Sequence, residues 1–484
     1  KEIEKIQDWQ KKIIAEIGKE KTVIEFASAP EGMKELYEEK IAPLFYDAVF
    51  AGPGKAPMTA LLDQWMTIYK EKFEDEKTSF AYEYFEDNVN DLIHKEAIEK
   101  GKRPDLRTLD QVRPLFAKAG GVSKVLHGSG IFYRGGTHVL SVLTLGAPGD
   151  AQKMETIETS TKKKFMHHYN FAPYSTGEPG RSGGLNRRMV GHGYLAEKSL
   201  IPVLPSKEDF PYVIRIVSES MASNGSTSMG SVCAASLAMM DGGVPISSPV
   251  AGIASGLMMS EDYDKDGKYA LITDIQGPED HHGDMDFKVA GTRKGITGIQ
   301  MDIKIGGIPV KILKEALVKA EKARLEILDV MENIIAKPRT DISPSAPKII
   351  SVKVKVDQIG LVIGTGGKTI KEMMEKSGAQ IDIEDDGTVF ITGKDGTAEI
   401  AKQLVEDLTR EFMRGDQFDG SVTKITEFGA FVKIAGNTEG LVHISEMAPF
   451  RVEKVTDYLK EGDVIPVIVK DIDERGRIAL SIKQ

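Results

Sequence analysis

The sequence predicts a multidomain α+β protein with an all-helical N-terminal domain, an α+β core, a small α+β module and a C-terminal β-barrel. Apolar side chains at helical spacing come first, strand patterns alternate with glycine-rich turns in the middle, and five short strand patterns close the chain. The length of 484 residues suits about three or four domains. We place these domains at residues 1–104, 105–336, 349–412 and 415–484, with a proline-containing linker at 337–348.

The composition is typical of a globular protein, with 41% hydrophobic and 28% charged residues. No run of about 18 apolar residues occurs, so we expect no association with a membrane. The single cysteine, Cys233, excludes an internal disulfide and favours a reducing, cytoplasmic location. Because the net charge is −10, any binding of nucleic acid must depend on local basic patches.

Residues 1–104 are predicted to form helices with a structural role. Ile6, Trp9, Ile13 and Ile17 recur at spacings of three and four, which places them on one face of a helix. Glu/Lys-rich helical stretches follow, without a catalytic constellation. A small helical domain or spacer is therefore the favoured interpretation.

An acidic stretch in the core domain is the strongest sign of chemistry. Residues 274–291 are expected to form a loop between a buried strand at 269–272 and a half-buried strand at 298–305. Eight positions within it, 279–286, carry four carboxylates, and a lysine follows, namely Glu279, Asp280, Asp284, Asp286 and Lys288. Such oxygen ligands suit Mg²⁺ or Mn²⁺. A zinc site from His281 and His282 is the weaker alternative, because adjacent side chains rarely point the same way.

A turn rich in glycine and hydroxyl residues is expected to bind an anion. Residues 223–230 lead from a strand at 212–217 into a small-residue helix at 231–240. The N-terminus of a helix offers backbone N–H groups and the positive end of its dipole. The hydroxyls available beside it belong to Ser226, Thr227 and Ser228. The alternative is an N-cap without a ligand, since serine and threonine favour that position anyway.

Two adjacent arginines precede this turn along the chain. Arg187 and Arg188 end a predicted Gly/Ser loop at 181–188. Solvated charge is the common role of such a pair. A phosphate clamp is the alternative, because guanidinium groups match phosphate oxygens in bidentate fashion. The neighbouring anion turn favours the clamp.

A glycine loop follows the linker, between a strand at 351–356 and a helix, and two further strand patterns come after it. This context predicts the GxxG loop of a KH domain, which grips the backbone of a single-stranded nucleic acid. A P-loop is excluded, because the spacing to its Gly-Lys-Ser/Thr signature is wrong. The residues expected to contact RNA are Gly364, Thr365, Gly366, Gly367 and Lys368.

The last five strand patterns, with glycine turns between them, predict an OB-type barrel. Phe428, Phe431 and His443 are expected to present rings on one surface, where each stacked base contributes about 1–3 kcal/mol. Aromatic residues of a small barrel more often pack in the core. Phe428, however, sits in a loop-like segment where core packing is less expected.

Over essentially its whole length the chain resembles the bacterial-type polynucleotide phosphorylase family. LHGSGIFYRG, NRRMVGHGYLAEKSL, SNGSTSMG and EDHHGDMDFKVAG are similar to that family's second ribonuclease-PH-like domain, which has a ribosomal S5 domain 2-like α+β fold. VIGTGGKTI resembles its KH domain, and FGAFV and GLVHIS resemble its S1 domain. These motifs are specific in combination.

The resemblance implies a phosphate-dependent 3′-to-5′ exoribonuclease. Such an enzyme releases nucleoside diphosphates from single-stranded RNA in mRNA turnover, and in reverse it polymerises them. The resemblance also implies Mg²⁺, with Mn²⁺ as the alternative, and inorganic phosphate as co-substrate. A homotrimeric ring is implied, with other RNA-degradation proteins, a helicase or an endoribonuclease, as candidate partners.

Individual residues receive roles from the same resemblance. Asp280 and Asp286 match the metal positions, and together with Lys288 they match the catalytic ones. His192 matches a histidine near the scissile end. The positions that match phosphate and substrate binding are Arg187, Arg188, Ser226, Thr227 and Ser228.

Three features depart from the family pattern. The first ribonuclease-PH-like domain has no counterpart after Lys1, so we expect a truncated chain or a partner that supplies this half. Residues 133–138 read YRGGTH where the family has TRGETQ, and Asp105-Leu106-Arg107 replaces Asp-Gly-Arg. Two other functions therefore stay open: a hydrolytic 3′-exoribonuclease and a non-catalytic RNA-binding scaffold.

Overall fold

The computed structural model describes residues 1–23, 27–181, 183–435, 438–473 and 476–483. The chain divides into two compact units. The first comprises Lys1–Leu109, Met258–Ala270 and Gly277–Gly283, and the second comprises Asp110–Leu257, Leu271–Gln276 and Asp284–Gln484. Ser182, in the predicted loop at 181–188, lies outside the described residues.

The N-terminal part is helical, as predicted. Its helices are α1 (Glu2–Ile17), α2 (Met33–Lys40), α3 (Ala42–Val49), α4 (Ala56–Lys72) and α5 (Thr78–Lys100). The ring of Tyr37 packs edge-to-face on Trp65 and Phe85, with centroids 5.2 and 6.4 Å away, which joins α2, α4 and α5. The apolar face predicted on α1 is present but solvent-exposed, since none of the residues of this helix, all of them described, is buried.

Two sheets form the α+β core. Its strands are β1 (Leu115–Ala119), β2 (Gly128–Arg134), β3 (Thr137–Gly146), β4 (Gln152–Glu155), β5 (Ser160–Lys163), β6 (Phe165–Asn170), β7 (Val213–Ala222), β8 (Ala251–Met259), β9 (Tyr269–Thr273), β10 (Met285–Thr292) and β11 (Gly295–Ile303). One sheet has the order β1-β2-β3-β7-β6, and the other has the order β11-β10-β8-β9. Only β6 and β7 are parallel in the first sheet, and β4 pairs with β5 in a separate ribbon.

The helices of this region are α6 (Arg187–Leu200), α7 (Thr227–Asp241), α8 (Tyr263–Asp266), α9 (Gly277–His282) and α10 (Val310–Ile334). Helix α7 is buried from Thr227 to Met240, because its small side chains let neighbouring backbones approach closely. At Gly130 of β2, for example, a Cβ would lie 2.2 Å from the carbonyl oxygen of Ala234. Helix α7 begins four residues earlier than predicted, so its N-terminus is set by the sheets around it.

One strand differs from its predicted environment. The pattern of β11 predicts a half-buried strand, but Ile299 and Met301 are 51% and 44% exposed. Strand β11 lies at one edge of its sheet, beside β10, and side chains on both of its faces are exposed, unlike those of β9 at the other edge. The sequence pattern therefore identified a strand correctly and its burial wrongly.

Two small modules complete the chain. The first contains β12 (Lys348–Lys353), α11 (Ile359–Ile363), α12 (Lys368–Ser377), β13 (Gln380–Ile383), β14 (Thr388–Gly393) and α13 (Thr397–Thr409), with the sheet order β12-β14-β13. The second is a closed barrel of β15 (Gln417–Thr426), β16 (Gly429–Ala435), β17 (Thr438–His443), β18 (Val464–Ile472) and β19 (Ile478–Ser481). The predicted multidomain α+β class, with its terminal barrel, is confirmed. None of the helices that the structure describes combines the length and apolar character needed to cross a bilayer.

Candidate active site

The anion turn lies at the N-terminus of α7. Ser226 has a left-handed φ of 43°, and its side chain makes no capping hydrogen bond. The Oγ atoms of Ser226 and Ser228 are buried, and neither has a hydrogen-bond partner among the residues described. The interpretation as a simple N-cap therefore does not account for these hydroxyls. Buried polar groups are normally paired, so two unpaired donors at a helix N-terminus favour a ligand there.

A buried ionic network holds the backbone of this turn in place. The carboxylate of Asp274 pairs with Nη2 of Arg113 and Nε of Arg134, each at 2.8 Å. Arg134 also donates to the carbonyl oxygens of Gly225 and Ser226, at 3.3 and 3.1 Å. The turn is thus held by two buried arginines that share one carboxylate, which leaves one excess positive charge beside it. Sequence reasoning missed Asp274 and Arg113, because nothing local separates them from surface charges.

Arg187 and Arg188 occupy the first turn of α6, so their predicted placement in a loop is wrong. Asn186 is the N-cap, and its side chain accepts a hydrogen bond from the backbone N–H of Met189 at 2.8 Å. Both arginines are exposed. The guanidinium of Arg188 lies 4.3 Å from the centroid of the Phe171 ring, which restrains it without neutralising its charge.

His192 lies one turn further along α6 and is held in its neutral form. Burial lowers its pKa to about 3, and the charges of Lys288 and Arg188 act in the same direction. Its ring contacts Tyr169 edge-to-face, with centroids 5.4 Å apart. Burial raises the pKa of Tyr169 to about 12, while the nearby hydroxyls of Ser220 and Thr227 and the charge of Arg188 oppose that rise. Tyr169 therefore connects His192 with the anion turn.

Asp286 and Lys288 lie on strand β10, so the expectation that the acidic stretch forms one loop is wrong. Because side chains two residues apart share a face of a strand, their charged groups meet, with Nζ 2.9 Å from Oδ2. Lys288 also donates to Gln300 at 3.2 Å. The Oδ1 atom of Asp286 is buried and has no hydrogen-bond partner in the described part of the chain. This oxygen is available to a cation.

Asp280 lies on the short helix α9, in the first unit, whereas Asp286 belongs to the second. Its neighbour Glu279 forms a fully buried bidentate pair with Arg103, at 2.6 and 2.7 Å. That pair anchors α9 within its own unit. The joint role of Asp280 and Asp286 as metal ligands stays a prediction.

The second unit thus brings several predicted residues together. Successive neighbours run from Thr227 through Tyr169, His192 and Lys288 to Asp286. One end offers an anion site, the middle carries positive charge and a neutral imidazole, and the other end offers a carboxylate. Phosphoryl transfer needs these same groups: an anion site, cations beside the phosphate and a group that moves a proton.

The predicted GxxG loop lies between α11 and α12. Gly364, Gly366 and Gly367 all have positive φ, at 71°, 60° and 77°. At Gly364 a Cβ would lie 2.1 Å from Oγ1 of Thr369, whereas at Gly366 nothing would lie within 4 Å. The loop is thus closely packed at Gly364 and open to solvent at Gly366. Thr365 is exposed, and the side chain of Lys368 is 81% exposed. Its contact with RNA stays a prediction.

The barrel aromatics occupy the outer side. Phe431 and His443 lie on one face, because His443 pairs with Gly429, two residues from Phe431 on the same strand. His443 is exposed, Phe431 is half-buried, and Phe428 in the adjacent turn is 51% exposed. A ring surface for stacked bases is compatible with this arrangement.

Comparison with known families matches three parts of the chain. A model described as 3′ exoribonuclease family, domain 1, matches residues 111–245, a KH domain model matches 349–407, and an S1 RNA binding domain model matches 411–483.

Among the similar proteins, three examples are each named polyribonucleotide nucleotidyltransferase. The protein of Synechococcus sp. (strain CC9902) is 52% identical over 396 residues, covering 81% of this chain and 54% of its own length. The protein of Prochlorococcus marinus (strain MIT 9313) is 51% identical over 395 residues, and the match again covers 81% of this chain and 54% of the relative's length. That of Geobacillus kaustophilus (strain HTA426) is 46% identical over 491 residues, covering 100% of this chain and 66% of its own length. The chain spans about half the length of the first two relatives, and it belongs to the polyribonucleotide nucleotidyltransferase family.

Proposed function

We propose that this chain carries the active site of a phosphorolytic 3′-to-5′ exoribonuclease that acts on single-stranded RNA in mRNA turnover. It would release nucleoside diphosphates and, in reverse, polymerise them. The observation that carries the proposal is the pair of buried hydroxyls at the N-terminus of α7, for which the described part of the chain offers no hydrogen-bond partner. A hydrolase would need no such site for inorganic phosphate. Membership of the family supports the same activity.

In this proposal inorganic phosphate binds at Ser226, Thr227 and Ser228. The helix dipole and the hydroxyls stabilise the anion, and the paired Arg113, Arg134 and Asp274 hold the turn without drawing on its donors. A turn that is already in place needs little reorganisation when the anion binds. Each preorganised donor of this kind lowers the activation barrier by about 3–4 kcal/mol.

The 3′-terminal phosphodiester is proposed to lie between this turn and the first turn of α6. Arg187 and Arg188 would bind RNA phosphate oxygens there. His192, neutral because of its burial, would accept or donate a hydrogen bond near the scissile bond without adding charge. The Asp286–Lys288 pair would hold the proton that the leaving 3′-oxygen takes up, since it joins a donor and an acceptor at 2.9 Å.

Mg²⁺, with Mn²⁺ as the alternative, fits the donor set at Asp286, whose Oδ1 is a buried carboxylate oxygen without a partner in the described residues. When bound, the ion would neutralise charge on the transferring phosphoryl oxygens. Asp280 as a second ligand rests on the sequence resemblance. Asp286 would hold the ion and orient Lys288 at the same time.

Single-stranded RNA is the proposed macromolecular ligand of the two C-terminal modules. The open GxxG loop would grip the backbone, and Phe428, Phe431 and His443 would stack on bases. We further propose a homotrimeric ring in the cytoplasm, with a helicase or an endoribonuclease as additional partners. The reducing location is supported by the single cysteine, Cys233, which is buried.

The test is release of labelled product from a single-stranded RNA in Mg²⁺, with and without inorganic phosphate. Diphosphate product that requires phosphate supports the proposal, and monophosphate product supports a hydrolase. No product, with RNA still bound, supports a scaffold. Asp286→Asn should lower turnover by at least about 10²-fold with unchanged RNA affinity, whereas Asp264→Asn, at an exposed carboxylate of α8, should leave both unchanged.

A further inference from the structure

Three metal-ligating side chains meet within the first unit, away from the anion turn in the sequence. Glu86 lies on α5, and His281 and His282 end α9. The Nε2 atoms of both histidines lie 3.4 Å from the same oxygen, Oε2 of Glu86. We propose that Glu86, His281 and His282 form a binding site for a zinc-class divalent cation. This inference does not depend on the proposed exoribonuclease activity.

The spacing of the three groups matches zinc coordination. Zinc–nitrogen and zinc–oxygen bonds of about 2.0–2.2 Å in tetrahedral geometry place neighbouring ligand atoms roughly 3.4 Å apart. The two Nε2–Oε2 separations equal this value. All three ligand atoms lie within 4.8 Å of one another. The remaining nitrogen–nitrogen edge can shorten by rotation of His281, whose side chain is 68% exposed.

His281 and Tyr82 hydrogen-bond to Glu86, but the contact from His281 is longer than a short ionic hydrogen bond. A charge-assisted N–H···O bond between an imidazolium and a carboxylate settles at about 2.7–2.9 Å. Both imidazoles here stop at the longer distance, on one shared oxygen. Two imidazole nitrogens at 3.4 Å from one carboxylate oxygen match the ligand spacing around a tetrahedral cation.

Neighbouring contacts and partial burial keep Glu86, His281 and His282 in place. The buried pair of Arg103 and Glu279 fixes the start of α9, two residues before His281. The ring of His282 is buried, and the side chain of Glu86 is 21% exposed. Burial raises the pKa of Glu86, while the charge on His281 opposes the rise. A partly desolvated carboxylate of this kind gains from a nearby cation.

The ligand chemistry selects the class of metal. Two imidazoles with one carboxylate suit zinc and its neighbours in the first transition row, whereas Mg²⁺ prefers oxygen ligands and retains its water. Three protein ligands leave a fourth position, and His281 borders solvent on that side. The site should therefore exchange its ion with solution and should discriminate against Mg²⁺.

The proximity of the two histidine rings could not be deduced from the sequence. Adjacent residues of a helix point about 100° apart. The two rings are nearly perpendicular, at 83°, with centroids 4.8 Å apart, and they approach Glu86 from two directions. Both Nε2 atoms nevertheless reach the same carboxylate oxygen of Glu86 on α5.

The test is equilibrium binding of Zn²⁺ to the full chain, purified without a histidine tag and stripped with a chelator. Competition with a chromophoric chelator in millimolar Mg²⁺ should give one Zn²⁺ per chain. Co²⁺ should give the visible absorption of a four-coordinate site. Since outer partners of a zinc site contribute about 10–100-fold in affinity, loss of a direct ligand should weaken binding at least tenfold in His282→Gln and Glu86→Gln.

Two further variants keep the test decisive. His281→Gln changes an exposed side chain, so its loss of Zn²⁺ affinity cannot be attributed to unfolding. His94→Gln removes another histidine of α5 and should leave binding unchanged. The proposal is overturned if the wild-type chain binds no Zn²⁺ in the presence of Mg²⁺, or if His94→Gln weakens binding as much as His281→Gln does.

Discussion

Replacing Ser228 with alanine should raise stability and lower phosphate affinity at the same time. The side chain is fully buried, and its Oγ has no hydrogen-bond partner within the described chain. Leaving a buried hydroxyl unpaired costs about 1–3 kcal/mol. Because alanine keeps the Cβ and removes only the oxygen, we expect the unliganded protein to gain about 1 kcal/mol.

The affinity of Ser228→Ala for phosphate should fall, although its stability rises. In the phosphate complex the same hydroxyl is proposed to donate to the anion, and loss of one such donor lowers the rate about 10²–10³-fold. The assay is the phosphate dependence of diphosphate release, combined with hydrogen exchange of the α7 amides. Tryptophan fluorescence is unsuitable for this helix, because Trp9 and Trp65 both belong to the other unit.

Ser231→Ala is the matched control on the same helix. Its Oγ donates to the carbonyl oxygen of Ser228 at 2.6 Å, and its side chain is equally buried. That variant should lose about 1 kcal/mol of stability and keep its phosphate dependence. If Ser228→Ala instead destabilises α7 like the control, and leaves phosphate dependence unchanged, the assignment of the turn is wrong.

Three further predictions concern stability. Leu106→Gly should gain about 0.5–1 kcal/mol, because Leu106 has a φ of 66° and is 60% exposed; urea unfolding followed by tryptophan fluorescence would show a loss instead if the strain is absent. Glu279→Gln should cost about 3 kcal/mol by the same measurement, since among the described residues it leaves the buried Arg103 only the more distant carboxylate of Asp105, at 3.9 Å. His167 and His192 have pKa values lowered by burial to about 4 and about 3, so the unfolded chain binds more protons than the folded one below about pH 6.5. The free energy of unfolding should therefore fall as the pH drops from about 6.5 towards these folded-state pKa values, by up to about 1.4 kcal/mol per pH unit for each histidine. Circular-dichroism melting of a His192→Asn variant at several pH values should show a smaller dependence of stability on pH, and an unchanged dependence would contradict this.

Local patterns predicted most of the secondary structure. The small-residue run before Gly242-Gly243 predicted α7, because its side chains and its glycine stop are local signals. The glycine run at 364–367 predicted a loop that opens a helix, and its glycines adopt the positive φ angles that such a loop requires. Where local chemistry alone sets the conformation, sequence reasoning succeeded.

Predictions failed where neighbours in space decide. Asp286 and Lys288 were expected on a loop, but pairing of β10 with both β8 and β11 draws them into a strand. Ile299 was expected to be half-buried, but it is exposed, because no neighbouring element fully covers this part of β11 among the described residues. Strand patterns do not state which strands will flank them.

The sequence by itself determined the domain order, the family and the types of residue available for catalysis, because motifs and their spacing are contiguous in the chain. Only the tertiary structure decided that Asp274 pairs with two buried arginines beside the anion turn, and that one carboxylate of α5 faces two histidines of α9. These contacts join residues that are far apart in sequence, up to 196 positions between Glu86 and His282 (282 − 86). Their energies depend on burial and distance, which only the folded chain defines.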